Sequence, residues 1–248
     1  MKWPAFPGLI KRGKPFARLF EAVALAIPAD PFDLAVIVNF ESATTWEPIA
    51  QNPSTMATGL LQWIPSTAVN LGMAKTRAEA PDTLRAMTAE AQAAWIPPTF
   101  QRSIGSRNTA AWQGSTASGK PDIGNLYLLI FAPAFAGRDE GVIGAPGSEV
   151  ADKNKGLRDD AGAVTVESVK SMVDELWARA DSMERWDDGG GPLPAVPSVK
   201  LRPLGSGPAT TSGQDKPKPA GGGASAAGAL VVFGGLAAVV AMRARVRA

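Results

Sequence analysis

The segment DPFDLAVIVNFES, residues 30–42, constrains the fold more than any other part of the chain. Residues 34–38 within it are all apolar, so a helix here would be apolar on every side, whereas a surface helix keeps one polar face. A helix starting near Asp30 would have Pro31 in its first turn, where proline is tolerated. The segment therefore predicts a central helix that is buried all round and has Glu41 at its C-terminal end.

The rest of residues 1–186 has helical periodicity and lacks runs rich in β-forming residues. Further helices are predicted over residues 15–27, 65–71, 83–95, 123–137 and 165–180, with a break at Pro133. In the last of them, apolar residues recur at steps of three and four, namely Val166, Val169, Val173, Leu176 and Ala180. The sequence therefore predicts a mainly α domain over residues 1–186.

A change of composition marks the end of this domain. Residues 187–219 contain seven prolines and six glycines and almost no aromatic residue. Such a segment cannot bury enough apolar surface to offset the entropy lost on ordering. We therefore predict that residues 187–219 form a disordered linker.

The last 29 residues, 220–248, are predicted to form a single transmembrane helix. No charge occurs from Ala220 to Met242, and residues 226–242 are strongly apolar, which is at the short end of the length that spans a bilayer. Three arginines follow at positions 243, 245 and 247, and by the positive-inside rule they should stay on the inner side. The alternative is that residues 220–248 form a buried hairpin or a core helix. We favour the transmembrane helix, because the apolar run follows a disordered linker and has no neighbouring element to pack against.

Composition excludes several classes of site. The chain has no cysteine and no histidine, which removes disulfides, thiolate metal sites and imidazole bases, so acid–base chemistry must use carboxylates, Tyr127 or lysine. Residues 1–186 hold 18 basic and 20 acidic residues, and the positive charge of the chain lies in its tail. We therefore predict no nucleic-acid partner and no cofactor.

Glu41 is the best candidate for chemistry. A carboxyl at the end of a buried helix has its charged form disfavoured, and the negative potential of the helix C-terminus acts in the same direction. Its pKa should therefore be raised, which suits a proton donor. A loop rich in Thr, Asn, Ser and Gln follows, and Gln62 in it can point back toward Glu41. The alternative is that Glu41 is a solvated helix end, as most glutamates are.

Several motifs occur together in one order after this helix: Glu41-Ser42, Trp46 and Pro48, Asn52-Pro53, the run Ala-Thr-Gly-Leu-Leu-Gln over 57–62, and Pro-Ser-Thr-Ala over 65–68. With the stretch LYLLIFAPAFAG around Tyr127, they resemble the SLT-type lytic transglycosylases of the lysozyme-like superfamily. The version in bacteriophage particles is the most similar. The resemblance runs from about residue 19 to residue 176.

The resemblance implies a lysozyme-like helical fold and cleavage of the β-1,4 bond between N-acetylmuramic acid and N-acetylglucosamine in peptidoglycan. Glu41 would protonate the glycosidic oxygen and then deprotonate the 6-hydroxyl of the muramic acid, closing a 1,6-anhydro ring. Ser42 would steady Glu41, Gly59 would allow close backbone approach, and Gln62 would bond the substrate or the acid. Tyr127 would orient Glu41 or the sugar.

The sequence offers no convincing second carboxylate. Typical glycosidases use two, and here only Glu47 lies near, in a loop where we expect it to face solvent. The stretch DKNKGLRDDAGAVT is similar to an EF-hand-like loop of relatives, but its glycine and acid are not at EF-hand spacing, so no metal is predicted.

Two hypotheses of different class follow. The first is a membrane-anchored lytic transglycosylase, in a phage whose virion membrane carries it and which opens the wall during genome entry, or in a bacterial or prophage-derived envelope. Its partners would be peptidoglycan strands, the membrane and virion proteins, with the domain on the outer or periplasmic side. The second is a non-catalytic wall-binding or assembly protein of the same fold. A muramidase that hydrolyses the same bond is a variant of the first.

Overall fold

A computed structural model of the chain describes residues 1–27, 29–104 and 122–203. About half of it is helical, with two small sheets, so the predicted mainly α class is confirmed. The helices are α1 (Pro7–Arg12), α2 (Lys14–Leu25), α3 (Pro31–Glu41), α4 (Pro65–Leu71), α5 (Ala80–Ala86), α6 (Ala89–Ala93), α7 (Ile96–Ile104), α8 (Ile123–Phe131), α9 (Glu149–Lys153) and α10 (Val166–Asp181). The strands are β1 (Lys2–Pro4), β2 (Val142–Gly144), β3 (Val164–Thr165) and β4 (Arg185–Asp187).

Helix α3 is the buried centre of the described domain, as its sequence predicts. The Asp30 carboxylate accepts a hydrogen bond from the Phe32 amide at 2.7 Å and caps the helix, with Pro31 in the first turn. Its residues 34–38 are all buried, and the helix packs against α2, α8 and α10. This central position carries Glu41, the last residue of α3, into the interior.

Helices α8 and α10 form the layer against one side of α3. All nine residues of α8 are buried, and the helix ends before Pro133, where a short 3-10 turn begins. The N-terminus of α10 has a capping box, in which the Thr165 hydroxyl accepts from the Ser168 amide and the Ser168 hydroxyl accepts from the Thr165 amide. Val166, Val169, Val173 and Ala180 are buried, and Leu176 is partly buried against the core, which confirms the amphipathic stripe.

The helix predicted over residues 83–95 is wrong as a single element. Met87 is extended, and the Thr88 hydroxyl accepts a bond from the Ala91 amide at 3.2 Å, so that α5 ends and a new helix, α6, begins. Helices α1 and α7 were not predicted, because each has prolines in its first turn and few residues to show a period.

The two sheets are short antiparallel pairs that the sequence does not signal. Strand β1 pairs with β4, with Trp3 opposite Trp186, and β2 pairs with β3. Just after β4, the buried Asp188 carboxylate accepts a bond from the Trp3 indole at 3.0 Å. Contacts with the domain thus continue past residue 186.

Residues 188–203 run along the domain without helix or strand. Val196, Val199 and Leu201 pack against the core, and the Arg202 amide donates to the Leu71 carbonyl at 3.1 Å. The remainder of the predicted linker, 204–219, and the predicted transmembrane helix, 220–248, lie outside the described residues. Within the described ranges, no helix has the length and hydropathy to cross a bilayer.

Candidate active site

Glu41 is held in an apolar environment at the end of α3. It is 3 % exposed, and burial raises its pKa from 4.5 to about 8. The nearby Tyr127 hydroxyl opposes part of this rise, and no charged group among the described residues contributes to it. The carboxyl is therefore protonated at neutral pH, as the sequence predicts for a proton donor.

Neither carboxyl oxygen of Glu41 has a hydrogen-bond partner within the part of the chain that the structure describes. The Tyr127 hydroxyl lies close enough to lower the pKa of Glu41, but it is not hydrogen-bonded to either carboxyl oxygen. Buried polar groups are nearly always paired in folded proteins, so an unpaired carboxyl needs an explanation.

Tyr127 reaches Glu41 from α8. Its ring packs edge-on against Phe40, with centroids 5.9 Å apart, and stacks on Phe131 at 5.7 Å. Burial raises the pKa of Tyr127 well above 10, and the Glu41 carboxyl adds to this rise. The hydroxyl therefore keeps its proton and remains a donor toward Glu41. Of the site residues that the sequence predicts, these two are brought together.

Backbone strain concentrates in residues 42–64, the segment between α3 and α4, which we call the site loop. Among the described residues, every non-glycine with positive φ lies here: Ala43, Thr44, Trp46, Met56 and Gln62. Left-handed backbone is uncommon for such residues, and for a β-branched or bulky one it is a true outlier. Each costs roughly 1–3 kcal/mol and tends to occur at functional sites.

The first turn of the site loop is fixed by side chains of α3. The Ser42 hydroxyl accepts from the Trp46 amide at 3.1 Å, and the Trp46 indole donates to the Asn39 side chain at 3.0 Å. The Trp46 ring lies fully buried against Phe6, Phe16 and Phe20. Ser42 therefore holds the turn after Glu41 and makes no bond to the Glu41 carboxyl.

Helix α1 packs directly against the same turn. A Cβ placed on Gly8 would come within 2.5 Å of the Thr44 carbonyl oxygen, so the loop backbone rests directly on this glycine. Lys11 donates to Glu47 at 2.9 Å, and Arg12 pairs with the other oxygen of that carboxylate. Glu47, which the sequence leaves facing solvent, is thus held by two cations on α1.

Gln62 closes the site loop on itself. Its side-chain amide donates to the carbonyls of Ala50 and Gly59, each at 3.0 Å, and it is 3 % exposed. It makes no bond to Glu41. Gly59 has φ +91°, and the group that approaches it closely is the side chain of Gln92: a Cβ on Gly59 would lie 2.3 Å from its Oε1.

Two residues at or near the site escape the sequence argument. Gln92 lies among alanines in α6, and nothing local distinguishes it from a surface glutamine. Asp33, in the first turn of α3, is a second buried carboxyl whose pKa rises from 3.8 to about 7 through burial and the charges of Asp30 and Asp122. The Trp177 indole donates to it at 2.9 Å. Only the position of Asp33 on an all-apolar helix could have signalled its burial.

The rest of the described surface offers no metal site. Within residues 1–27, 29–104 and 122–203, no three acidic side chains converge as ligands. A cleft of about 530 Å³ lies between residues 156–160 and one face of α10, and none of the predicted site residues lines it.

Comparison of the chain with protein-family models, with curated proteins and with solved structures gave no match.

Proposed function

We propose that this protein is a peptidoglycan lytic transglycosylase that cleaves the bond between N-acetylmuramic acid and N-acetylglucosamine. The observation that carries the proposal is the buried, unpaired carboxyl of Glu41 beside Tyr127, with its pKa raised to about 8. A carboxylic acid that keeps its proton at neutral pH is what protonation of a glycosidic oxygen requires.

The reaction uses Glu41 twice. First the Glu41 carboxyl gives its proton to the glycosidic oxygen as the bond from the muramic C1 breaks. The resulting carboxylate, being buried, is a strong base and takes the proton of the muramic 6-hydroxyl, whose oxygen closes on C1. Glu41 ends protonated, no water is consumed, and the products are an N-acetylglucosamine end and a 1,6-anhydromuramic end.

Tyr127 stabilises the Glu41 carboxylate that exists between the two proton transfers. Its hydroxyl stays protonated because burial and the Glu41 carboxyl both raise its pKa. A donor beside Glu41 favours the carboxylate that forms after proton transfer. Since Glu41 is 3 % exposed, a glycan must displace the groups around it to bring the glycosidic oxygen within hydrogen-bond reach.

The shortage of carboxylates favours attack by the substrate's own hydroxyl over attack by activated water. Two-acid glycosidases hold their carboxyls about 5 to 9.5 Å apart. The Glu47 carboxylate forms ion pairs with Lys11 and Arg12. Asp33 lies eight residues before Glu41, which is about 12 Å along the helix. Neither is placed to act as a partner of Glu41.

The setting that we propose is a membrane-anchored domain of lysozyme-like fold. Residues 220–248 would anchor it, residues 204–219 would link it to the membrane, and the catalytic domain would face the peptidoglycan. A phage that perforates the wall during genome entry is the setting that the motifs favour, and a bacterial envelope is its variant.

The test is digestion of purified peptidoglycan by the full-length protein in detergent. We expect soluble fragments with 1,6-anhydro ends, detected by mass spectrometry, and a loss of about 10³-fold or more in Glu41→Gln. Asp33→Asn is the matched control, a buried carboxyl of the same helix, and should keep activity within about threefold.

The outcomes separate the alternatives. Reducing ends in place of anhydro ends would make the protein a muramidase. Binding of peptidoglycan without any fragment release by the wild type would support the non-catalytic wall-binding hypothesis and would end the enzyme proposal.

A further inference from the structure

We propose that Gln92 is a positioning residue that sets the shape of the site loop for the proposed reaction. The residue is fully buried on α6, outside the loop and outside every motif that the sequence analysis used. Its functional consequence depends on the proposed function, because it assumes that the site loop binds the glycan.

Every hydrogen of the Gln92 side-chain amide is used. Its Nε2 donates to the Pro48 carbonyl at 2.9 Å and to the Leu84 carbonyl at 2.7 Å, while its Oε1 accepts from the Leu60 amide at 2.9 Å. A flipped amide would set oxygen against two carbonyls and N–H against N–H, so the three partners fix its orientation. Gln92 therefore joins two points within the site loop, Pro48 and Leu60, which are twelve residues apart, and ties both to α5.

The glycine at position 59 fits this arrangement. The Gln92 amide occupies the space where a Cβ of residue 59 would lie, and the φ of Gly59 is one that glycine adopts without strain. Gln62, whose amide bonds the Gly59 and Ala50 carbonyls, is in turn placed by the same turn. One buried side chain on α6 thus supports the backbone around Gly59 and Gln62, two of the residues that the resemblance assigns to the site.

The two ends of the loop are held by other elements. Glu47 is paired with α1, and the Trp63 indole donates to Thr99 on α7 at 2.9 Å. Loss of Gln92 should therefore leave the loop attached but free to shift between these points. A displacement of about 1 Å in a positioning group can cost on the order of 100-fold in rate.

The experiment compares three variants of the full-length protein. Gln92→Ala removes all three bonds. Gln92→Glu is nearly isosteric with wild type. When its carboxyl is protonated, it can still accept from the Leu60 amide and donate to one carbonyl. When the carboxyl is ionised, it places a negative charge against the two carbonyl oxygens of Pro48 and Leu84. Asn154→Ala is the matched control, because Asn154 is a buried amide that bonds the Val150 carbonyl near α9, away from the loop.

We expect Gln92→Ala to lower kcat/KM for peptidoglycan fragments by about 10- to 100-fold at a temperature where it remains folded. The activity of Gln92→Glu relative to wild type should fall as pH rises, while that of Gln92→Ala should be independent of pH. Asn154→Ala should lower the Tm and leave kcat/KM within about threefold of wild type. If Gln92 had only a structural role, variants with the same Tm would lose the same activity. The activity of Gln92→Glu relative to wild type would then not depend on pH.

Hydrogen exchange at the Leu60 amide tests the positioning role apart from catalysis. Exchange should accelerate in Gln92→Ala and not in Asn154→Ala. Unchanged exchange, or unchanged kcat/KM in Gln92→Ala with an active wild type, would overturn the inference. If the wild type releases no fragments while Leu60 exchange still responds, Gln92 positions the loop and the proposed reaction is what fails.

Discussion

The two ends of helix α3 carry the same kind of group in two different situations. Asp33 in the first turn and Glu41 in the last are both buried carboxyls with pKa values raised by burial, to about 7 and about 8. Asp33 accepts a bond from the Trp177 indole, whereas neither oxygen of Glu41 has a partner among the described residues. Burial is therefore common to the two acids, and the absence of a hydrogen-bond partner distinguishes Glu41 from Asp33.

The backbone differs between the two ends as well. Before Asp33 the chain enters the helix through a regular cap at Asp30 and a proline, and none of residues 29–33 has a positive φ. After Glu41 the chain turns through left-handed Ala43, Thr44 and Trp46. Strain of this kind persists only where surrounding contacts enforce it. The unpaired acid and the strained turn at this end of α3 are the observations on which the proposed function rests.

The largest expected effect of Asp33 and Glu41 is on the way the free energy of unfolding depends on pH. In the unfolded chain both carboxyls ionise near pH 4, whereas in the folded protein Asp33 stays neutral to about pH 7 and Glu41 to about pH 8. Ionisation of the unfolded state therefore lowers the free energy of unfolding as pH rises from about 4 to 8, by roughly 4 to 5 kcal/mol for each of the two carboxyls. Denaturant titrations across this range should show the decline.

Variants assign this decline to the two residues. Glu41→Gln should remove about half of the decline between pH 4 and 7 and all of it between pH 7 and 8, whereas Asp33→Asn should remove the other half, which ends near pH 7. A wild type whose stability rises over this window would contradict the pKa shifts of both residues.

Substitution of Gly8 tests whether the turn after Glu41 is enforced from α1. In Gly8→Ala the new Cβ meets the Thr44 and Thr45 carbonyl groups, which are backbone and cannot rotate away. We expect a loss of about 1–3 kcal/mol in the free energy of unfolding, measured by chemical denaturation, and a matching fall in activity.

Gly124→Ala is the control for this substitution. It is also a helical glycine, but its Cβ would lie 2.7 Å from the Cγ of Lys170 on α10 and would not meet the site loop. It should also lower the free energy of unfolding, by about 1–3 kcal/mol, but should keep activity within about threefold of wild type. An equal fall in activity in the two variants would mean that the contact between Gly8 and Thr44 does not enforce the turn.

Tyr127→Phe should have the smallest effect of these substitutions. It tests the contrast between Glu41 and Asp33, because Tyr127 acts on Glu41. The hydroxyl lowers the pKa of Glu41, so its removal should move the alkaline limb of the pH–activity profile above that of wild type, which falls near pH 8. The rate below that limb should drop roughly tenfold, since a donor to the carboxylate is lost. A limb that stays at the wild-type pH would show that the Tyr127 hydroxyl does not act on the acid.

Much of the fold around α3 could be predicted because it depends on local signals. An all-apolar run with a proline start fixes α3, and recurring valines fix α10. The break between α5 and α6 was missed because Thr88 competes locally with a continuous helix, and the β1–β4 pair was missed because its strands are 180 residues apart. Non-local pairing leaves little trace in either strand alone.

The candidate site divides in the same way. Its acid could be predicted, because a carboxyl that ends an apolar helix must be buried and must hold its proton. The roles of Ser42, Gly59 and Gln62 could not, because each depends on which atoms the folded chain brings next to it. In the structure these partners are Trp46, Gln92 and the carbonyls of the loop itself.

The sequence by itself determined a mainly α domain around α3 and a single candidate acid at its end, because apolar periodicity and the absence of histidine and cysteine are properties of the chain. Only the tertiary structure decided that Tyr127 faces Glu41, that Glu47 is neutralised and that Gln92 supports the site loop. These contacts join elements far apart in the chain, and their geometry exists only once the helices have packed.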